Sequence, residues 1–162
     1  MEPRIETIEE KKLIGMCIRM SLADDKTYAL WQNFMQCRKQ HPNTIGNDLY
    51  SVKVYDEGYF LKFKPESEFE KWAAVEVNNF DTIPLDFKPF IIVSGLYAVF
   101  NYVGAASNGG PFFQYIYQTW LPNSEYVLDN RPQFEILGAK YKNEDPASEE
   151  EIWIPLKKKN AC

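Results

Sequence analysis

The chain has 162 residues, 45% of them hydrophobic and 25% charged, with 23 acidic side chains against 18 basic ones. That length suits one domain whose core needs no metal or disulfide, and a net charge of −5 argues against a surface that neutralises phosphates, so direct nucleic-acid binding is not expected. No apolar run reaches the roughly 20 residues of a membrane span, and the opening Met1-Glu2-Pro3-Arg4 starts no apolar signal segment, so a cytoplasmic setting is expected.

The first predicted element is a β-rich run from Lys12 to Met20, interrupted by Gly15. A helix follows, with Asp24 as its expected N-cap. Leu30, Trp31, Phe34 and Met35 recur at spacings of three and four and form one apolar stripe. His41-Pro42 stops this helix, because the residue before a proline is forced out of the helical region. Two strands come next, Leu49–Tyr55 and Phe69–Val77, and then a connector over Asn78–Pro89.

The order then repeats. Phe90–Tyr102 is a β-rich run broken by Gly95, and Asn108-Gly109-Gly110-Pro111 opens a helix with proline in its first turn. Phe113, Ile116, Tyr117 and Trp120 supply its stripe, and Pro122 ends it. Two strands, Gln133–Tyr141 and Glu150–Lys157, close the chain, and Lys157-Lys158-Lys159 reads as a solvated tail. Trp72 and Trp153 are separated by the same interval as Glu70 and Glu151, and Gly15 and Gly95 by one residue less. These landmarks predict a duplicated α+β domain with two strand–helix–strand–strand units, residues 12–77 and 90–157, related by a pseudo-two-fold axis. Each helix must bury its stripe on a sheet, so both helices are expected on one face, with a ligand cavity between the halves.

Aromatic side chains make up 15% of the residues, enough to line a ligand cavity as well as fill a core. Alternation along the last strand puts Glu151, Trp153 and Pro155 on the face opposite Ile152, Ile154 and Leu156. In the neighbouring strand Glu135 and Leu137 oppose Phe134 and Ile136, and in the first half Glu70, Trp72 and Glu76 share a face. Glu135 and Glu151 are therefore expected to face one cavity with Trp72 and Trp153. A carboxylate among rings is costly to desolvate until a cation arrives, and cation–π attraction adds about 0.5–2 kcal/mol, so the expected ligand is an organic cation. Cys17, Cys37 and Cys162 have neither metal-site spacing nor an even-numbered disulfide pattern, and His41 stands alone. No metal, cofactor or Ser–His or Cys–His nucleophile is expected; Gly104–Gly110 matches no phosphate-binding pattern.

The stretches Phe69–Val77, Ser94–Phe100, Tyr115–Pro122, Arg131–Leu137 and Glu150–Leu156, in this order, resemble the gyrase-inhibitor-like (GyrI-like) family, the effector-binding domain of AraC- and MerR-type regulators. The resemblance implies a duplicated strand–helix–strand–strand fold. It also implies a pocket for hydrophobic, often cationic compounds with a buried glutamate at Glu135 or Glu151. Trp72, Tyr97, Leu137 and Trp153 complete the candidate ligand-binding set. Two alternatives go with the binding reading. One is a hydrolase that detoxifies reactive small molecules, in which Glu135, Glu151 and Trp153 would be catalytic, and the other a gyrase-modulating role with a protein partner. Some family members are fused to a DNA-binding helix-turn-helix domain; none is expected within these 162 residues, so direct transcriptional control is not expected.

Overall fold

A computed structural model describes residues 2–38 and 43–159. His41, Pro42 and Cys162 lie outside the described residues, so the expected helix stop at His41-Pro42 does too. Among the described residues nine strands form one sheet: β1 (Arg4–Ile8), β2 (Lys11–Ser21), β3 (Leu49–Val54), β4 (Glu68–Glu76), β5 (Lys88–Ile92), β6 (Gly95–Val103), β7 (Tyr126–Leu128), β8 (Gln133–Leu137) and β9 (Glu149–Lys158). Helix α1 spans Thr27–Cys37. Helix α2 runs as an α-helix over Gly110–Tyr115, as a π-helix over Ile116–Trp120 and again as an α-helix over Leu121–Asn123.

The sheet order is β1-β6-β9-β8-β3-β4-β2-β5, with β7 also on β9, and these pairings are antiparallel. The molecule is thus an α+β fold. The order β6-β9-β8 continues outward as its reverse, β3-β4-β2, across the β3–β8 pair. Trp72 lies opposite Cys17 and Trp153 opposite Val99. By this register the counterpart of Gly15 is Tyr97, so Gly95 is not its structural equivalent. The two glycines also serve different needs. A Cβ at Gly15 would lie 2.1 Å from the Ala73 carbonyl oxygen, whereas Gly95 opens β6 at φ +152°, a region unfavourable to side chains.

Both faces of the sheet are buried. On one, Leu30 and Phe34 of α1 pack on Ile14, Ala73 and Val75, and Ile116 of α2 packs on Phe100, Ile152 and Ile154. On the other, Leu13, Val52, Trp72, Ile92, Tyr97, Phe134 and Trp153 form a cluster with no helix over it. Its members come from seven strands reaching towards both ends of the sheet, so the sheet curls around them. This second core uses the rings that the sequence offers as pocket lining.

Local differences from expectation have simple causes. The Asp25 carboxylate, not that of Asp24, accepts the Thr27 N–H at 2.9 Å, while Asp24 pairs with Lys26. Pro122 does not stop α2, which runs one residue further, past the π-helical stretch over Ile116–Trp120. The run Phe90–Tyr102 divides into β5, which returns to β2, and β6, which crosses to β9. β8 ends at Leu137, short of the expected Tyr141. The short strands β1 and β7 were not evident from the sequence.

Candidate functional site

Alternation fixes which side chains enter the space under the helices. In β8, Phe134 lies opposite Trp153 and joins the curled-sheet core, with the two rings stacked 5.3 Å apart. Gln133, Glu135 and Leu137 must then point the other way, towards α1 and α2. The same logic puts Ser51 and Lys53 of β3, Lys71 of β4 and Glu150 of β9 on the helix side. Lys53 is directly opposite both Lys71 and Gln133, and Ser51 is opposite Glu135.

These residues form a charged floor between the helices. Lys53 Nζ lies 3.1 Å from Glu135 Oε1, with the side chains only 18% and 14% exposed. The same ammonium sits 4.4 Å from the ring centroid of Phe113 in α2. Lys71 Nζ donates to Thr27 Oγ1 at the start of α1, at 3.1 Å. The Tyr117 hydroxyl of α2 donates to Gln133 Oε1. Tyr117 also meets Phe60 at 5.6 Å between centroids, and Phe60 belongs to an aromatic cluster with Tyr55 and Tyr59. Lys53, Phe113, Gln133, Glu135, Ile152 and Ile154 line a cleft too tight to admit a water molecule.

Burial and charge set the protonation of this floor. Burial favours the neutral Glu135 acid, but Lys53 and Lys71 outweigh it and hold the carboxyl below its usual range. Glu150 shares a hydrogen bond with Glu135; burial and the Glu135 charge push its carboxyl up to about 8. Burial likewise lowers Lys71 to about 8, helped by repulsion from Lys53. Burial also acts to lower Lys53, yet the Glu135 charge overrides it and raises the ammonium. Lys53 and Glu135 are therefore the firmly charged pair, while Lys71 and Glu150 favour their protonated forms at neutral pH.

The expectation that Glu135 and Glu151 share a cavity with Trp72 and Trp153 does not hold. Only Glu135 and Leu137 face the helices. Glu151 lies on the opposite side of β9, where it accepts from Trp153 Nε1 at 3.2 Å and from Arg4 at 3.1 Å. Glu70 accepts from Trp72 Nε1 at 2.6 Å in the same way. Tyr97, Trp72 and Trp153 are core rings there, and Arg131 lies 4.6 Å from the Tyr97 ring centroid. Each Glu therefore caps a buried indole from two residues away, which explains the repeated Glu-x-Trp without a ligand. Lys53, Glu150, Gln133 and Tyr117 were missed; a charged residue inside the apolar run Leu49–Val54 was the one available signal. Among the described residues no group of three His, Cys, Asp or Glu side chains could hold a metal ion. An open groove of about 480 Å³, lined by Tyr115, Trp120, Tyr126 and Glu125, lies between the N-terminal segment and the far end of α2.

The fold is thus a curled antiparallel sheet with two helices on one face and a narrow charged cleft beneath them. The model of the GyrI-like small molecule binding domain matches residues 1–157, and the chain belongs to that family. No curated protein matches the sequence. Among solved structures, SAV2435 bound to tetraphenylphosphonium is 16% identical, with TM-score 0.74 over 97% of this chain and 94% of that one. A putative transcription regulation protein from Staphylococcus aureus is 17% identical, with TM-score 0.70 over 97% and 99%. The C-terminal domain of EcmrR is 15% identical, with TM-score 0.73 over 98% of each chain. No helix among the described residues is long and apolar enough to cross a membrane.

Proposed function

We propose that this domain binds a hydrophobic, ring-bearing organic cation in the cleft between α1 and α2, with Glu135 as the charge partner and Phe113, Tyr117, Tyr55 and Phe60 as the apolar walls. The observation that carries this reading is the ammonium of Lys53, held between the Glu135 carboxylate and the Phe113 face. Carboxylate and ring together are the surroundings that a desolvated cation requires. SAV2435, which shares the fold, is bound to tetraphenylphosphonium, a cation of this class. Ligand entry requires the roof to open, and the segment that carries Phe60 offers the means. Its neighbours Leu61 and Phe63 are 89% and 47% exposed, and the ring contacts of Phe60 with Tyr55, Tyr59 and Tyr117 are what opening would break. Binding of this kind serves sensing or sequestration in a cytoplasmic setting.

The test is titration calorimetry with tetraphenylphosphonium and the uncharged triphenylphosphine oxide. Glu135→Gln is expected to cost about thirtyfold or more in affinity for the cation and little for the oxide, while Glu151→Gln changes neither. Equal cation affinity in the wild type and both variants contradicts the assignment. A second reading, hydrolysis of a reactive small molecule, is favoured by the hydrogen-bonded pair of charged Glu135 and protonated Glu150, which could serve as base and acid. A protein from Listeria innocua described as a hydrolase has a similar fold, with TM-score 0.59 at 11% identity. Conversion of a bound electrophile that is lost in Glu150→Gln would establish it.

A further inference from the structure

We infer that Lys53 is the chain's own occupant of the cation subsite: a ligand's cationic group binds by replacing the Lys53 ammonium on Glu135, so Lys53 sets the affinity and the charge preference of the cleft. The inference rests on the reading of the cleft as the ligand site and adds the residue against which a ligand competes.

Three observations lead to it. First, the Lys53 ammonium has the two partners expected of a bound organic cation, Glu135 Oε1 at 3.1 Å and the Phe113 ring at 4.4 Å. Second, the cleft is too tight for a water molecule while Lys53 is in place, and Lys53 is itself one of the walls that close it. A ligand cannot reach Glu135 beside this side chain. Third, charge forbids addition. Lys71 lies directly across from Lys53, and Asp25, Tyr55, Tyr141 and Glu150 are the other titratable groups that act on the cluster. With Glu150 favouring its protonated form, Glu135 and Asp25 just balance the Lys53 and Lys71 charges, so no carboxylate is left over for an added cation. A second cation would be repelled by both ammonium groups at low dielectric, whereas exchange leaves the charge of the floor unchanged. The lysine stem makes exchange feasible. Its four-carbon chain lets the ammonium swing to water while the β3 backbone keeps its pairing with β4 and β8.

The experiment compares the wild-type chain, Lys53→Met and the double variant Lys53→Met/Glu135→Gln, titrated with tetraphenylphosphonium and triphenylphosphine oxide. Lys53→Met leaves Glu135 without its resident cation, so the phosphonium should bind about tenfold tighter or more than to the wild type. The oxide should change by less than about threefold, and the double variant should lose the gain for the cation. Unchanged or weaker phosphonium binding to folded Lys53→Met overturns the inference while the ligand-site reading stands. If neither probe binds the wild type or any variant, the ligand-site reading itself fails. A measurement on the wild type covers the case in which Lys53→Met does not fold. Saturating phosphonium should speed acetylation of Lys53 by an N-hydroxysuccinimide ester, read by mass spectrometry, because the displaced amine becomes accessible. Slower or unchanged labelling on phosphonium binding refutes the exchange.

Discussion

Replacing Glu135 by Gln without any ligand tests whether the floor of the cleft is the interior ion pair that the geometry indicates. The substitution keeps the shape and removes the Glu135 charge, leaving the Lys53 ammonium against the Phe113 ring with Glu150 as the remaining carboxyl of the floor. Removing one member of a fully buried pair costs about 3–5 kcal/mol. Lys53 and Glu135 retain 18% and 14% side-chain exposure, so a somewhat smaller loss is expected. A loss of about 2–4 kcal/mol corresponds to a fall in melting temperature of about 5–15 °C for a domain of this size. Glu151 provides the internal control. Its partner Arg4 is 53% exposed and Glu151 itself 35%, and such pairs contribute at most about 1 kcal/mol, so Glu151→Gln should shift the midpoint by about 4 °C at most. The assay is thermal unfolding followed by near-ultraviolet circular dichroism at low salt. Lys53→Met combined with Glu135→Leu, which removes both charges, should recover most of the loss. Equal losses at Glu135 and Glu151, or a larger one at Glu151, would refute the placement of the pair in the interior.

Three further outcomes follow from the same structure. The folded Glu150 carboxyl sits near 8 against an ordinary value of 4.5, so the folded chain keeps a proton that the unfolded chain loses. Its contribution to stability therefore declines as pH rises between those values, and Glu150→Gln should flatten that slope in melting curves taken from pH 5 to 8. Gly15→Ala places a Cβ 2.1 Å from the Ala73 carbonyl oxygen, where β2 meets β4; it should cost about 3 kcal/mol or more in denaturant unfolding, whereas Gly58→Ala, which meets no atom within 4 Å, should cost less even at φ +83°. Elemental analysis of protein purified without added metal should find no stoichiometric transition metal, in keeping with the lack of a ligand cluster among the described residues.

Much of the architecture was legible because it rests on period and punctuation. The proline at the start of α2 and the alternation in β9 are local signals that appear where expected, and of the expected α1 stripe Leu30, Trp31 and Phe34 pack on the sheet while Met35 is 45% exposed. The strand order runs outward in the same sequence on both sides of the β3–β8 pair, although β7 interrupts the expected order in the second half. Superposing residues 12–77 on 90–157 remains the direct check of two-fold similarity. The site was only half legible. Alternation states which residues share a face within one strand, but the register that puts Phe134 opposite Trp153 is a tertiary property. With that register unknown, Glu135 was grouped with Glu151, although the two point away from each other. A sheet buried on both sides removes the usual guide, since Phe134 and Ile152 are both core residues on opposite faces. Lys53 was passed over for a related reason: a single lysine between Val52 and Val54 reads as the exposed side of a strand, and only the helices above it make that side an interior.

The central claim is that ligand binds between α1 and α2 on the Glu135 floor. The most direct measurement is of nuclear Overhauser contacts between the phenyl protons of bound tetraphenylphosphonium and assigned aromatic protons of the wild-type protein. Contacts to Phe113, Tyr117 and Phe60 are predicted. Contacts confined to Trp72 and Trp153 in the curled-sheet core, or to Tyr115, Trp120 and Tyr126 in the groove at the far end of α2, would contradict it.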